Sequence, residues 1–528
     1  MLTQKTIFLR KKLIKLKRYL YFLISLISIL LWSSCRKDFD FDPAQANQIS
    51  FSSDTIFLDT LFTNIRSSTK ILKVYNNSND DISISQVKLR REIDSKYQLN
   101  VDGFPKDDTP LTSTSGKIFE NVEILAKDSI FIFIEATINP NLDEIDSENN
   151  YLDEIQFKTS NGIKEIQLST QTIDADFSFN EKPNRNFITE QRDEKGDFIV
   201  LKGYDLKDSE LNITAIKARV FYGYAVVTSG QTLTVNAGSR LYFHRDSGLI
   251  IEDGGILNIV GEESPEDKDN PFKNGVVIEG DRIDEDFDNL PAQWNFIWVQ
   301  KGGKATIENT IIKNATTGII TEGTGNEITP NIILENVQIY NMQTVGLQAN
   351  ASFISGNNVI INQSGRASIN VEQGGTYNFT HATFSNVFSF GNPSRTAIVF
   401  NNTSKNDSDV TTTNLKADFT NCIITGNKSD EITVTNSDQA NFSVSFENCL
   451  INLRNNTTEL DKENTSLFTN CIFNEKPKFK NTSLNMFQIE DESPANGKAK
   501  FIAGKDLTGT QRVAPSDIGA YESITFDK

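Results

Sequence analysis

Three short stretches, Phe419-Thr-Asn-Cys-Ile-Ile-Thr-Gly426, Phe446-Glu-Asn-Cys-Leu-Ile-Asn-Leu453 and Phe468-Thr-Asn-Cys-Ile-Phe-Asn-Glu475, share one grammar. A ring is followed by a polar residue, Asn, a small residue and a run of apolar positions. Stretches 307–314, 334–341, 355–362 and 379–386 follow it too. With the Asn as position zero, the anchors are Asn309, Asn336, Asn357, His381, Asn421, Asn448 and Asn470, separated by 27, 21, 24, 40, 27 and 22 residues. A period in the twenties with one short apolar strand per unit predicts stacked strand repeats, a β-solenoid. The gap of 40 holds Asn392-Pro393-Ser394 and the polar run 401–413, read as a protruding loop.

The columns set the geometry. Position −2 reads Ile307, Leu334, Ser355, Phe379, Phe419, Phe446, Phe468, and position +3 reads Ile312, Ile339, Ile360, Phe384, Ile424, Ile451, Phe473. Both are nearly all apolar and are expected to point inward. Position +1 is mostly small: Thr310, Val337, Asn358, Ala382, Cys422, Cys449, Cys471. Asn tolerates the left-handed backbone that a bend between strands needs, and stacked amides can hydrogen-bond from repeat to repeat.

This pattern resembles the asparagine ladder of right-handed parallel β-helix proteins, the pectate-lyase-like superfamily, over roughly residues 210–525. The resemblance implies a parallel β-helix at 211–480. Segments 235–244, 249–261 and 275–280 look like earlier, less regular repeats. Asp517-Ile-Gly-Ala-Tyr-Glu522 resembles the terminal segment of exported β-helix proteins, so 481–528 is expected to cap the open end.

The chain has 528 residues and a formal charge of −18, unevenly distributed. Residues 1–34 carry seven basic groups and no acid, which leaves the rest at −25. So acidic a body repels nucleic acid, which is excluded as a partner. A basic stretch, the apolar run from Tyr19 to Trp32, and Ser33-Ser34-Cys35 resemble a bacterial lipoprotein signal peptide over 1–34, with Trp32 where Leu is usual. That resemblance implies lipidation of Cys35, a membrane partner through this anchor, and an outer-membrane address. Lys37-Asp38 resembles the surface-export signal of Bacteroidota-type surface lipoproteins, which favours surface display over a periplasmic face. Residues 35–48 read as a tether. Residues 49–176 alternate apolar and polar in short runs between Asn-rich turns, the pattern of an antiparallel β-sandwich, and resemble an immunoglobulin-like module. Residues 177–210 read as a linker.

Few residues invite chemistry. Glu308 and Glu335, both at position −1, would stand about 5 Å apart on consecutive repeats, a spacing suited to a retaining glycosidase; an ordinary solvated face is the alternative. Trp294 and Trp298, four apart on one strand, would share a face and offer a platform for sugar rings, unless they pack the core. Asp284, Asp286 and Asp288 read by default as solvated charge, so no cofactor is expected; the alternative is that they offer oxygen ligands to Ca2+. His381 sits in the Asn column and reads as a turn residue; His244 has no evident partner. Cys422, Cys449 and Cys471 fill one inward column as core thiols, with a soft metal or a disulfide between neighbours as alternatives. Lyases of the resembling superfamily need a Lys or Arg base beside acidic Ca2+ ligands, and its polygalacturonase-like hydrolases need clustered Asp, yet 300–400 contains no Asp and Arg366 and Arg395 stand alone. The fold expected is all-β, a β-sandwich followed by a right-handed parallel β-helix. The function expected is a non-enzymatic cell-envelope lipoprotein that binds glycan or serves structural display. The alternative is a polysaccharide-degrading enzyme, lyase or glycoside hydrolase, with a diverged site.

Overall fold

The computed structural model describes residues 41–102, 116–192, 198–264, 272–284, 287–387, 396–406 and 409–526. Cys35, the signal segment, part of the tether and Asp286 lie outside these residues. The fold is all-β: its helical content among the described residues is three single 3-10 turns, Glu92–Asp94, Asp208–Glu210 and Thr482–Leu484. The chain divides into two compact units, one of residues up to 58, 66–137 and 145–170, the other of 59–65, 138–144 and 171–528.

In the first unit, period-2 patterning gives two sheets. Lys70–Asn76 pairs antiparallel with Ser129–Ala136, burying Leu72 and Val74 beside Ile130, Ile132 and Ile134 and leaving Ile71 and Phe131 exposed. Ile82–Leu89 pairs antiparallel with both Ile118–Ile124 and Asn150–Thr159. The sheets meet where Phe51 packs on Phe157 (4.6 Å between ring centroids) and Tyr97 on Tyr151 (5.5 Å).

The second unit is built of 26 strands in one hydrogen-bonded network. From Ala218 onward its strands fall into three parallel ladders, visited in turn by successive repeats as far as Ile432–Thr435; among the described residues the last two repeats have strands in the first and third ladders only. The first stacks Val276–Gly280, 310–313, 337–340, 359–362, Thr383–Asn386, Ile423–Gly426 and Leu450–Ile451. The second runs through Gly248–Ile251, Ile297–Val299, Ile319–Glu322 and 347–350. The third runs through Ile256–Val260, 304–308, 332–335, 354–357, 375–380, Leu415–Thr420 and Phe442–Glu447. Like residues thus lie over like. The rings of Phe379, Phe419, Phe446 and Phe468 stack at 5.6, 5.3 and 5.2 Å inside the unit.

Position zero has left-handed backbone throughout, with φ between 45° at Asn309 and 57° at Asn421. One anchor shifts. The register pairs Glu335 with Asn357 and Val337 with Val359, so Asn358, not Asn357, lies opposite Asn336. Asn358 has φ 50° and donates to Asn336 Oδ1 at 2.9 Å. Its repeat therefore contributes Gly356, Val359 and Ile361 to the columns in place of Ser355, Asn358 and Ile360. The neighbouring repeat decides the choice: a Cβ on Gly356 would come within 2.5 Å of the Phe379 ring.

Two other segments depart from expectation. Residues 177–210 are not a linker. Ala175–Ser178 pairs in parallel with Ala218–Phe221, and Arg185–Arg192 and Phe198–Asp205 form a hairpin that pairs at 203–205 with 224–226. Alternate Phe187 and Leu201 bury against Tyr224, Val226 and Ile250. The segment expected as an end cap runs instead along the flank of the repeats. Ile518 packs on Ile423 and Leu450, Ala520 and Tyr521 pack near Ile360, and Tyr521 accepts from Gln338 Nε2 at 3.0 Å. Apolar side chains at position +2, which face out of the core, supply the reason: Ile311, Ile360, Ile423 and Leu450 need cover.

Candidate functional site

Position −1 lies on the third ladder, between the inward ring column and the bend at position zero. Its register reads Glu308, Glu335, Asn357, Thr380, Thr420, Glu447, Thr469. The alternation of a strand turns these side chains outward, half-buried for the first six and exposed at Thr469, over a buried −2 column. Glu308 and Glu335 are therefore brought together as in-register neighbours. Burial pushes the Glu335 carboxyl up; the amide of Asn357, donating at 2.6 Å, opposes this, and the charges of Glu308 and Glu263 add to it. The flanking C-terminal segment brings cations alongside: Lys505 pairs with Glu263 at 2.7 Å and Lys500 with Glu447 at 2.9 Å.

The tryptophans do not form a platform. Trp294 is fully buried, stacks on Phe243 at 4.7 Å and donates from Nε1 to Lys313 O at 2.9 Å. The strand spans only Ile297–Val299, so the alternation does not reach back to Trp294. Trp298 is half-buried, edges against Phe187 and Phe296, and donates to Glu322 Oε1 at 3.0 Å. The acidic loop does not converge either. Asp284 Oδ1 accepts from Thr60 N at 3.3 Å, whereas Asp288 pairs with Lys313 at 2.5 Å. Among the described residues no three His, Cys, Asp or Glu side chains cluster as a metal site.

His381 occupies its expected place in the column. Its ring lies between Gly519 O, 3.3 Å from Nδ1, and the Asn421 amide, 3.0 Å from Nε2. Burial, and then the charge of Arg512, push it down to about 3, so it stays neutral. Cys422, Cys449 and Cys471 are free thiols stacked in register, each with Sγ near a Phe carbonyl: Phe379, Phe419 and Phe446 at 3.6, 3.4 and 3.3 Å. Burial raises the Cys449 thiol well above its ordinary range.

Two groupings were not anticipated. His244 Nδ1 lies 2.6 Å from Asp281 Oδ2, and the ring stacks on Tyr222. The hydrogen bond to the Asp281 carboxylate outweighs burial and holds the imidazole above its ordinary value. The signal was the register that pairs Phe243 with Gly280, placing the next residues side by side. On the outer side of the first ladder, Tyr242 pairs with Glu279, and Lys313 with Tyr340. Glu279 and Lys313 form an ion pair at 2.9 Å. Burial works against the Lys313 charge, but Glu279 outweighs it and Lys313 is held above its ordinary value.

No protein-family model matches the chain, and no curated protein matches it. Among solved structures, a PapD-like domain of human CEP192 is similar to 27% of the chain over 96% of its own length, at 15% identity and a TM-score of 0.16. A family 123 glycoside hydrolase from Clostridium perfringens, studied for glycolipid glycan hydrolysis, is similar to 24% of the chain over 29% of its own length, at 9% identity and a TM-score of 0.16. The catalytic domain of a GH87 alpha-1,3-glucanase, solved with nigerose, is similar to 78% of the chain over 85% of its own length, at 11% identity and a TM-score of 0.16. Likenesses at such scores assign this chain no fold or activity, and the residues above carry the functional reading.

Proposed function

We propose that the stacked repeats form a right-handed parallel β-helix of the pectate-lyase-like kind and that it binds an extended glycan without turning it over. The observation that carries this reading is the −1 column, in which successive repeats present Glu308, Glu335, Asn357, Thr380, Thr420, Glu447 and Thr469 in register. Strands about 4.8 Å apart offer hydrogen-bonding groups at a constant interval, the arrangement that complements a polymer of repeating hydroxyls. Retention of the full-length chain, purified in detergent, on a panel of immobilised glycans tests it. Thr380→Val/Thr420→Val is expected to weaken retention; unchanged retention in that variant would sink the reading.

One observation favours a second reading, a glycoside hydrolase. Glu308 and Glu335 are in-register neighbours and Glu335 is raised, as a general acid requires. Release of reducing ends by the wild-type chain, lost in Glu308→Gln or Glu335→Gln, would establish that reading over simple binding.

Residues 1–35 support export as a lipoprotein acylated at Cys35, anchored in the outer membrane and displayed at the surface. Residues 49–176 then serve as an immunoglobulin-like spacer. Labelling with radioactive palmitate, abolished in Cys35→Ser, is the expected result; label that persists in the variant refutes the anchor.

A further inference from the structure

The last repeats carry a cleft whose charge opposes that of the chain. A cavity of about 970 Å3 opens beside the end of the first ladder. Thr425, Asn452 and Asn474, one from each of three successive repeats, line it. The Asn474 amide is engaged by the Leu453 backbone, but among the described residues the Thr425 hydroxyl and the Asn452 amide have no protein hydrogen-bond partner. Around them stand Lys428, Arg454, Lys476, Lys478 and Lys480, against one lining acid, Glu475.

A chain with 70 acidic and 52 basic groups places five cations at one opening. Acids nearby are otherwise occupied. Asp430 accepts from the backbone of Arg454 and Asn455, and Glu431 is buried and accepts from the backbone of Ala397 and Lys428. Lys478 pairs with Glu490 and Glu492, whereas Lys428, Arg454, Lys476 and Lys480 form no ion pair among the described residues. Gathering like charges costs free energy unless an anion completes the site.

We infer that this cleft binds a short run of an acidic polysaccharide, a chain whose sugar rings carry carboxylate or sulfate groups. The inference rests on the glycan reading above and adds the ligand's charge and place. Cations around hydroxyl and amide groups match a polymer that carries both hydroxyls and anions. Nucleic acid matches less well. The one aromatic residue of the lining, Phe479, is packed on Phe487 at 4.9 Å and offers no face for base stacking. The chain's net charge also opposes a ligand so densely charged.

The test is calorimetric titration of the full-length chain in detergent with hexasaccharides of hyaluronan and of polygalacturonate. Laminarihexaose serves as the neutral probe and a short oligothymidylate as the competing polyanion. The acidic hexamers are expected to bind, more weakly as salt rises, and Arg454→Gln/Lys476→Gln/Lys480→Gln to weaken them about tenfold or more. These three residues are exposed, so the variant should melt as the wild type does. Lys301→Gln/Lys304→Gln, which removes two positive charges outside the cleft, should leave binding unchanged. Acidic binding that survives the triple variant, or tighter binding of oligothymidylate, overturns the inference. If laminarihexaose alone binds, the glycan reading stands and this inference fails; if no saccharide binds, both fail.

Discussion

Arg512 donates from Nη2 to Asn358 Oδ1 at 3.0 Å. A side chain from the C-terminal segment thus completes the amide ladder between Asn358 and the next repeat, which supplies His381 in place of Asn. Arg512 is 3% exposed and also donates to Gly519 O at 3.0 Å and to Glu522 Oε1 at 2.5 Å. Arg512→Met should cost about 3–5 kcal/mol, because it leaves Glu522 charged and unpaired in a half-buried site. Arg512→Met/Glu522→Gln should recover part of that loss in urea unfolding. No recovery would mean that packing, not charge, holds the segment down.

His381 should make the fold acid-sensitive. Burial and Arg512 push it down to about 3, from 6.5. Between these values the unfolded chain binds the extra proton, so the contribution is complete above about pH 6.5 and is lost as pH falls toward 3. His381→Asn retains the left-handed turn without the titrating ring. Its stability relative to the wild type should therefore rise on going from about pH 8 to about pH 5. A difference that does not change with pH would contradict the assignment.

Glu431 should act with the opposite sign. Burial pushes its carboxyl from 4.5 up to about 7, against the hydrogen bonds from Lys428 and Ala397. The folded state then holds the proton more tightly, so stability falls as pH rises from about 4.5 to about 7 and is level above. Glu431→Gln should flatten that slope in unfolding midpoints measured across the window. The same carboxyl bars Gly426→Ala, whose Cβ would come within 2.3 Å of Oε1.

Gly356→Val should destabilise by about 1–3 kcal/mol through overpacking against the Phe379 ring. The adjacent Ser355→Val, outside the inward column, should change stability by less than about 1 kcal/mol. Equal effects at the two positions would restore the register in which Asn357 is the anchor.

Thermal melting should single out the ring stack. Phe446 lies between Phe419 and Phe468 and is 1% exposed. Phe446→Ala should cost about 3–5 kcal/mol, and Phe446→Leu clearly less.

The repeat was legible because its requirements are local. A left-handed bend selects Asn at 309, 336, 421, 448 and 470 wherever it recurs, and a strand with one buried face must alternate. The Glu308–Glu335 neighbourhood followed from the same spacing. Asn357 and Asn358 were harder to separate, since each suits a bend and only the Phe379 ring of the following repeat distinguishes Gly356 from Ser355. The tryptophan pair misled because a spacing of four implies a shared face only within a continuous strand, and the strand begins at Ile297.

By itself the sequence determined the all-β class and, in six of the seven repeats, the inward columns and the left-handed anchors, because each depends on residues a few positions apart. Tertiary structure alone decided that Arg512 meets Asn358, that His244 meets Asp281, that the C-terminal segment flanks the repeats, and that five cations surround one cleft. Apart from Lys476, Lys478 and Lys480, which are neighbours in sequence, these partners are separated by tens of residues or more. No local preference encodes them; they form because apolar position +2 needs cover and stacked strands place distant residues side by side.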